Sequence, residues 1–158
     1  MIELPLTPEQ QQVRDSFARL CDTSIAPQAE AIDEAGEFPR ELFGVLADVG
    51  LFGMRYPEAD GGLGMRLTDF CLALEEIARG SLAVAGAAAM QSLMGTKFLQ
   101  LLGNEDIKQR LFRPALAGQK IGAICMTEPN AGSDLASIAT RAERVDGGYR
   151  ITGQKTWV

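Results

Sequence analysis

The chain has 158 residues, of which 46% are hydrophobic and 23% are charged, and this composition is typical of a folded globular protein. Its formal net charge of −6 argues against nucleic acid or an anionic membrane as a partner, because both bind basic surfaces. It has no histidine and three cysteines without CxxC spacing. These counts argue against a zinc motif and exclude imidazole-based catalysis within the chain.

The sequence gives no sign of export or of membrane insertion. Residues 1–6 contain neither a basic segment nor a long apolar run, so no secretory signal is indicated and we expect a cytoplasmic protein. The most apolar stretch, residues 82–90, is much shorter than the roughly 20 residues of a membrane-spanning helix. We therefore expect it to form a buried helix and expect no membrane partner.

The first part of the chain has a helical period. Thr7, followed three residues later by Gln10, has the pattern of a capping box and predicts that a helix begins there, with Pro27 as a possible bend. A second helix is predicted to open at residues 38–41 and to stop at Gly50. Glycine-rich residues 51–64 are predicted to form a structural connector, with a phosphate-binding loop as the alternative.

Three more helices are predicted before the helical period ends. Thr68 or Asp69 is the expected cap of the third. Residues 82–102 are predicted to form one long helix whose first half is apolar almost all round and which is therefore surrounded by other elements. The last helix is expected to begin at Asn104 or Glu105 and to stop at Gly118.

After Gly118 the pattern changes to the alternation of β-strands. Three strands are predicted, at residues 121–126, 136–145 and 149–152. Residues 146–148, Asp-Gly-Gly, predict a hairpin turn between the last two. This change of period predicts a helical N-terminal domain at residues 1–119 and the first strands of a β domain at residues 120–158. Such an open sheet exposes its edges, so we expect the β domain to be truncated.

The first predicted strand ends in a polar turn, Thr127-Glu128-Pro129-Asn130-Ala131-Gly132-Ser133-Asp134. Pro129 has no backbone donor and disfavours helix, while Asn130 and Gly132 tolerate the positive φ angles of a tight reversal. We therefore predict a sharp turn that exposes backbone N–H groups and the hydroxyls of Thr127 and Ser133 to a ligand.

This turn resembles the Thr-Glu-Pro-x-Ala-Gly-Ser-Asp signature of the acyl-CoA dehydrogenases. Residues 153–158, Gly-Gln-Lys-Thr-Trp-Val, resemble the next flavin-contacting strand of that family, and two ordered motifs are harder to meet by chance than one. The resemblance covers the whole chain. It implies an α+β fold, in which an all-α N-terminal domain precedes the start of a β-barrel-like middle domain.

The resemblance also implies FAD as the cofactor and a set of binding residues on the two motifs. These are Ile124, Cys125, Met126, Thr127, Gly132, Ser133, Trp157 and Val158. Backbone N–H groups and the Thr127 hydroxyl would meet the polar edge of the flavin, the Trp157 indole would pack against the ring, and Ser133 would also contact the substrate. In the alternative interpretation Thr127 caps a local turn, Asp134 accepts backbone hydrogen bonds and Trp157 is a core residue.

The implied reaction is α,β-desaturation of an acyl-CoA thioester, with hydride transfer to flavin N5. In the family the α-proton goes to a carboxylate of the C-terminal domain, so no catalytic residue is assigned in this chain and Glu128 is not expected to be the base. The resemblance further implies a homotetramer or homodimer, with an electron-transfer flavoprotein as electron acceptor. The acyl slot would be lined by Met90, Leu93, Met94 and Lys97, unless these residues are ordinary core.

Four alternative functions remain open at this stage. Three are superfamily relatives with the same fold: an acyl-CoA oxidase, an acyl-carrier-protein dehydrogenase and a flavin monooxygenase. The fourth is a non-catalytic subunit that completes a flavin site with a partner chain. Oxygen reactivity of the reduced flavin separates an oxidase from a dehydrogenase.

Overall fold

The computed structural model describes residues 5–158 and separates into two compact units, one ending at Gly122 and the other spanning Ala123–Val158. The first unit is helical. Its α-helices are α1 (Pro8–Leu20), α2 (Ala29–Ala35), α3 (Arg40–Asp48), α4 (Leu67–Gly80), α5 (Leu82–Met90), α6 (Lys97–Leu102), α7 (Glu105–Ile107) and α8 (Arg113–Leu116). The second unit contains the hairpin strands β1 (Arg141–Val145) and β2 (Gly148–Thr152). Across residues 5–158, none of the helices has the length and hydropathy that crossing a bilayer requires.

Local capping residues set several helix ends as predicted. The Gln10 N–H donates to the Thr7 hydroxyl at 3.3 Å, and the Thr7 N–H donates to the Gln10 amide oxygen at 3.1 Å. These reciprocal bonds confirm the capping box. The Asn104 side-chain oxygen accepts from the Ile107 N–H at 2.9 Å and caps α7. The predicted bend near Pro27 is also present, as a π-helical turn at Cys21–Ile25 followed by a 3₁₀ turn at Ala26–Gln28.

The predicted cap of α4 at Thr68 or Asp69 is wrong by two or three residues. The N-cap is Arg66, and Asp69 lies three positions inside the helix. Its carboxylate accepts from the Arg66 N–H at 3.0 Å and from the Gln10 side-chain amide at 3.1 Å. Asp69 therefore satisfies an unpaired donor of the first turn and also joins α4 to α1.

The core of the helical unit lies between α1, α3, α4 and α5. Its most deeply buried side chains are Ile25, Leu46, Leu51, Phe52, Phe70, Ala73, Ile77 and Ala88. A smaller cluster is formed by Tyr56, Phe112 and Leu116. The glycine-rich stretch at 51–64 supplies Leu51 and Phe52 to the core and Tyr56 to the smaller cluster, and a Cβ on Gly62 would fall 2.1 Å from the Tyr56 carbonyl oxygen. The segment packs tightly against itself and the core, as a structural connector does.

The prediction of one long helix over residues 82–102 is wrong, because α5 ends at Met90 and a π-helical turn at Gln91–Gly95 precedes α6. The Gln91 side chain, only 1% exposed, explains the interruption. Its Nε2 donates to the carbonyl oxygens of Ala115 and Lys120, both at 2.9 Å, and its Oε1 accepts from the Gly122 N–H at 2.7 Å. A π turn is a single wide turn that inserts a residue into a helix, and here it carries the residue that makes these bonds.

The same helices are not enclosed in the way that their composition predicts. In α5 the buried residues are Val84, Ala85 and Ala88, while Leu82 is 77% exposed and Leu102, at the end of α6, is 81% exposed. Within the described residues, some of the apolar side chains of this stretch therefore face solvent. Gly86 of α5 and Gly44 of α3 both have open space where a Cβ would lie.

The second unit has fewer strands than predicted. β1 and β2 pair antiparallel from Arg141↔Thr152 to Val145↔Gly148, and Gly147 forms the turn with φ +76°. The expected strand at residues 121–126 is wrong for this structure, because no described segment pairs with it in a ladder. The strand expected at 136–145 begins only at Arg141. A 3₁₀ turn occupies Leu135–Ser137, and the Glu128 carboxylate accepts from the N–H groups of Ala139 and Thr140.

Candidate functional site

The two motifs singled out in the sequence lie side by side in the second unit. The Thr156 N–H donates to the Thr127 carbonyl oxygen at 3.0 Å. The Lys155 ammonium lies 2.8 Å from a Glu128 carboxylate oxygen and 3.3 Å from the Met126 carbonyl oxygen. The structure therefore brings the turn at residues 127–134 into direct contact with residues 155–156, although the two are far apart in sequence.

The turn itself reverses within four residues, as predicted, but neither Asn130 nor Gly132 has the positive φ angle that was expected of the reversal. The Glu128 N–H donates to the Ala131 carbonyl oxygen at 2.9 Å, and the Ala131 N–H donates to the Glu128 carbonyl oxygen at 3.1 Å. Pro129 and Asn130 form the exposed tip, while Ala131 is buried. The reversal is thus closed by two backbone bonds and leaves the following residues, Gly132 and Ser133, on the surface.

Several donors of the predicted flavin-binding residues have no protein partner within residues 5–158. These are the backbone N–H groups of Ile124, Cys125, Met126, Thr127, Gly132 and Ser133 and the hydroxyls of Thr127 and Ser133. Ile124, Met126 and Thr127 are half-buried, and Cys125 is exposed. Backbone donors that are unpaired in residues 5–158 are available to a ligand, to water or to neighbouring strands of the longer protein, and their chemistry fits an acceptor-rich ligand edge.

The Trp157 indole lies on the surface, with 95% of the residue exposed, and the neighbouring Val158 is 80% exposed. The alternative in which Trp157 is a core residue is therefore wrong within the described chain. An open cleft of about 470 Å³ is lined by Glu128, Pro129, Thr156 and Trp157. Exposed aromatic surface beside unpaired donors has the two properties that a flavin ring needs from a protein, a flat apolar contact and a polar edge.

The side chain of Glu128, the second residue of this turn, is buried, and its carboxylate accepts three hydrogen bonds. Its carboxylate accepts from the Ala139 N–H at 2.7 Å, from the Thr140 N–H at 3.0 Å and from the Lys155 ammonium at 2.8 Å. The Lys155 ammonium, with Thr140 and the Ala139 N–H, lowers the pKa of Glu128 from 4.5 to about 2. A carboxylate with so low a pKa is a poor proton acceptor near neutral pH, which disfavours Glu128 as a catalytic base.

The sequence interpretation missed the partnership of Glu128 with Lys155. It treated Glu128 only as a possible base and gave Lys155 no role. One signal was available: Lys155 is the one charged residue of the second motif, and the first motif carries acidic residues, Glu128 and Asp134, of the opposite sign. Within residues 5–158, no three acidic, cysteine or histidine side chains are grouped to hold a metal ion.

The low pKa of Glu128 predicts an acid-dependent loss of stability in the second unit. Because the folded-state pKa of about 2 lies below the ordinary value of 4.5, the folded form favours the ionised carboxylate. Its stabilisation is complete above pH 4.5 and is lost as pH falls toward 2. We expect the Ala139 and Thr140 amides to be better protected from hydrogen exchange in the wild type than in Glu128→Gln at pH 6, with the difference shrinking at pH 3.

Glu143→Gln is the control for this prediction. Glu143 is in the same unit, and its side chain is 52% exposed in a pair with Arg141, so its loss should change the protection of these amides little. A difference between wild type and Glu128→Gln that stays constant down to pH 2 would contradict the assignment of a strongly lowered pKa.

Comparison with known proteins places these features in a family. Residues 7–119 match the description "Acyl-CoA dehydrogenase, N-terminal domain", and residues 123–158 match "Acyl-CoA dehydrogenase, middle domain". The chain is 68% identical over 157 residues to the benzylmalonyl-CoA dehydrogenase of Aromatoleum aromaticum, a match that covers 99% of this chain and 42% of the relative. It is 43% identical over 156 residues to the mitochondrial 2-methylacyl-CoA dehydrogenase of Solanum tuberosum, covering 98% and 38%.

Among solved structures, the glutaryl-CoA dehydrogenase of Mycobacterium smegmatis matches with a TM-score of 0.88 and 30% identity, covering 96% of this chain and 40% of that one. The chain therefore spans about two fifths of the length of the relatives that it matches. The matches run through both units and include both motifs. The chain belongs to the acyl-CoA dehydrogenase family, of which it represents the N-terminal helical domain and the beginning of the middle domain.

Proposed function

We propose that the full-length protein is an FAD-dependent acyl-CoA dehydrogenase that converts an acyl-CoA thioester to its α,β-unsaturated product. The observation that carries this proposal is the contact between the two motifs, in which the Thr127 carbonyl oxygen accepts from the N–H of Thr156, the residue next to Trp157. When bound, FAD supplies the acceptor for the β-hydrogen, which leaves as hydride. The family is flavin-dependent, and the donor set described above suits this cofactor.

In this proposal, the residues of this chain bind and orient FAD and the acyl-CoA, but none of them accepts the α-proton. The N–H groups of Met126 and Thr127 and the Thr127 hydroxyl would hold the polar edge of FAD, and the Trp157 indole would cover part of one ring face. Ile124, Cys125, Gly132 and Val158 would complete the cofactor contacts, and Ser133 would also meet the acyl-CoA. The base would come from another part of the full-length protein.

The choice of substrate rests on the most similar relatives. At 68% identity over nearly the whole chain, a benzylmalonyl-CoA dehydrogenase makes a benzyl-substituted malonyl-CoA thioester the first substrate to test. A 2-methyl-branched acyl-CoA is the second, from the relative at 43% identity. We further propose a cytoplasmic homo-oligomer that passes electrons to an electron-transfer flavoprotein, in keeping with the family resemblance.

The test is the visible spectrum of the full-length protein, recorded anaerobically before and after addition of single acyl-CoAs. We expect a flavin spectrum that bleaches fastest with benzylmalonyl-CoA, and more slowly or not at all with 2-methylbutyryl-CoA and butyryl-CoA. A protein that holds no flavin, or one that no acyl-CoA bleaches, would overturn the proposal. Rapid reoxidation by air would favour an acyl-CoA oxidase instead.

Replacing Trp157 by alanine should weaken FAD binding without affecting folding. An aromatic contact contributes about 1 kcal/mol beyond buried area, so we expect the dissociation constant of FAD to rise about fivefold. The melting temperature of the apoprotein is the parallel measurement, and it should fall no further than in the control variant, because the Trp157 side chain is not part of the core of residues 5–158. Tyr149→Ala is the matched control, because Tyr149 is an aromatic residue of the same unit that is 63% exposed. Equal FAD affinities for the two variants would contradict the role of Trp157.

A further inference from the structure

We propose that the ion pair between Glu128 and Lys155 is a positioning device that holds the flavin-binding turn in place. In this proposal neither side chain contacts FAD. The pair fixes where the N–H and hydroxyl of Thr127 lie relative to the segment that carries Trp157. This inference rests on the proposed function, because it assumes that these residues meet FAD.

The first step of the argument is the position of the Lys155 ammonium. It contacts the Met126 carbonyl oxygen at 3.3 Å and the Glu128 carboxylate at 2.8 Å. These two residues flank Thr127 in the chain, and the Thr127 carbonyl oxygen accepts from the Thr156 N–H at 3.0 Å. Residues 126–128, at the start of the turn, are therefore held by two consecutive residues of the other motif, Lys155 and Thr156.

The second step is the burial and saturation of the Glu128 carboxylate. Its side chain is 5% exposed, and it accepts from two consecutive backbone N–H groups, those of Ala139 and Thr140, as well as from Lys155. Hydrogen bonds to a charged group are shorter and stronger than neutral ones. Glu128 thus fastens the start of the turn to the segment before β1 and to the second motif at once.

The third step is a contrast with another ion pair of the same unit. The Arg141–Glu143 pair has a separation of 3.2 Å, and its side chains are 70% and 52% exposed, so water and salt screen it. Lys155 and Glu128 are 26% and 5% exposed and are screened much less. Removal of one partner from such a pair leaves the other charge without compensation, and we expect the turn to shift in response.

The donors affected are those that have no protein partner in the described residues, namely the N–H groups of Met126 and Thr127 and the Thr127 hydroxyl. Because these donors are preset by the turn, a ligand that accepts from them does not have to order them on binding. Loss of the ion pair should therefore appear as weaker cofactor binding and as a change in the electronic environment of the flavin.

The experiment compares Lys155→Met, Lys155→Arg and Arg141→Met in the full-length protein. For Lys155→Met we expect a roughly tenfold rise in the dissociation constant of FAD, because FAD must then order the displaced donors when it binds, together with a shifted flavin absorbance spectrum. Lys155→Arg retains the charge and should bind FAD within about threefold of wild type. Arg141→Met removes the exposed pair and should leave both readouts unchanged.

A second pair of variants separates positioning from general instability. Glu128→Gln should weaken FAD binding as Lys155→Met does, and the double variant should be no weaker than the stronger-acting single variant, because both remove the same interaction. Hydrogen exchange at the Thr156 amide should accelerate in each variant at a temperature where circular dichroism shows an intact fold. If Lys155→Met does not fold, Lys155→Gln, which retains a donor without charge, takes its place with the same expected result.

The outcomes distinguish this inference from the proposed function. A wild-type protein that binds no FAD defeats the proposed function itself. A wild-type protein that binds FAD, with Lys155→Met and Glu128→Gln binding it within twofold and with the same spectrum, defeats only the positioning role. Additive losses in the double variant would likewise overturn the role of the pair.

Discussion

Replacing Gln91 by leucine should lower the free energy of unfolding of the full-length protein by about 3 kcal/mol, because it leaves buried polar groups without partners. The Gln91 amide bonds two carbonyl oxygens, of Ala115 and Lys120, and the Gly122 N–H. Leucine has a similar volume and offers neither donor nor acceptor. The three backbone groups would then lose their partner at a site that is 1% exposed.

Urea unfolding of the variant and the wild type measures this effect. Gln12→Leu is the matched control, since Gln12 is an exposed residue of α1 and its replacement should change the stability by less than about 0.5 kcal/mol. A loss for Gln91→Leu no larger than that of the control would show that water or a rearranged backbone satisfies these groups. Faster hydrogen exchange at the Gly122 amide should accompany the expected loss.

The second large effect is expected for Gly95→Ala. Gly95 is the last residue of the π-helical turn, and a Cβ placed on it would lie 2.7 Å from the Gly122 carbonyl carbon and 2.8 Å from its oxygen. These are backbone atoms, which cannot rotate away as a side chain can. We expect a destabilisation of about 3 kcal/mol, at the upper end of the usual cost of overpacking.

Gly86→Ala is the control in the preceding helix. No heavy atom lies within 4 Å of a Cβ at Gly86, and alanine in a helix interior is favoured over glycine by about 1 kcal/mol. The two identical substitutions should therefore change stability in opposite directions. Equal effects would mean that the close approach of Gly95 and Gly122 relaxes at little cost.

Features that depend on neighbouring residues could be predicted from the sequence. The capping box at Thr7, the cap at Asn104 and the turn at Gly147 each involve groups only a few residues apart, and local side-chain bonds of this kind have recognisable spacing. The family resemblance at residues 127–134 and 153–158 is also a local pattern, and the family matches bear it out.

Features that depend on distant partners could not be predicted in this way. The break at Gln91 follows from hydrogen bonds to residues 24 to 31 positions later, and its apolar neighbours gave no sign of them. The predicted strand at residues 121–126 requires a partner strand, which propensity alone does not supply. The late start of β1 has the same kind of cause, because Glu128 takes the N–H groups of Ala139 and Thr140.

At the candidate site, the sequence identified the turn and the indole but not the link between them. Thr127 and Trp157 were predicted from the family signature, and the structure places their segments in contact. The assignment of individual cofactor contacts stays a prediction. The link through Lys155 involves residues 27 and 29 positions apart, and charge alone does not reveal which of many acidic residues a lysine will meet.

The open space at Gly44 and Gly86 has a practical consequence for studies of this protein. Alanine at both positions should raise the free energy of unfolding, since glycines inside helices that no turn or close contact requires are common sites of stabilising substitutions. Variants that are too unstable to purify from the natural sequence could then be made in the protein that carries both alanines. Cofactor affinities could then be compared across a wider set of substitutions than the natural sequence would bear.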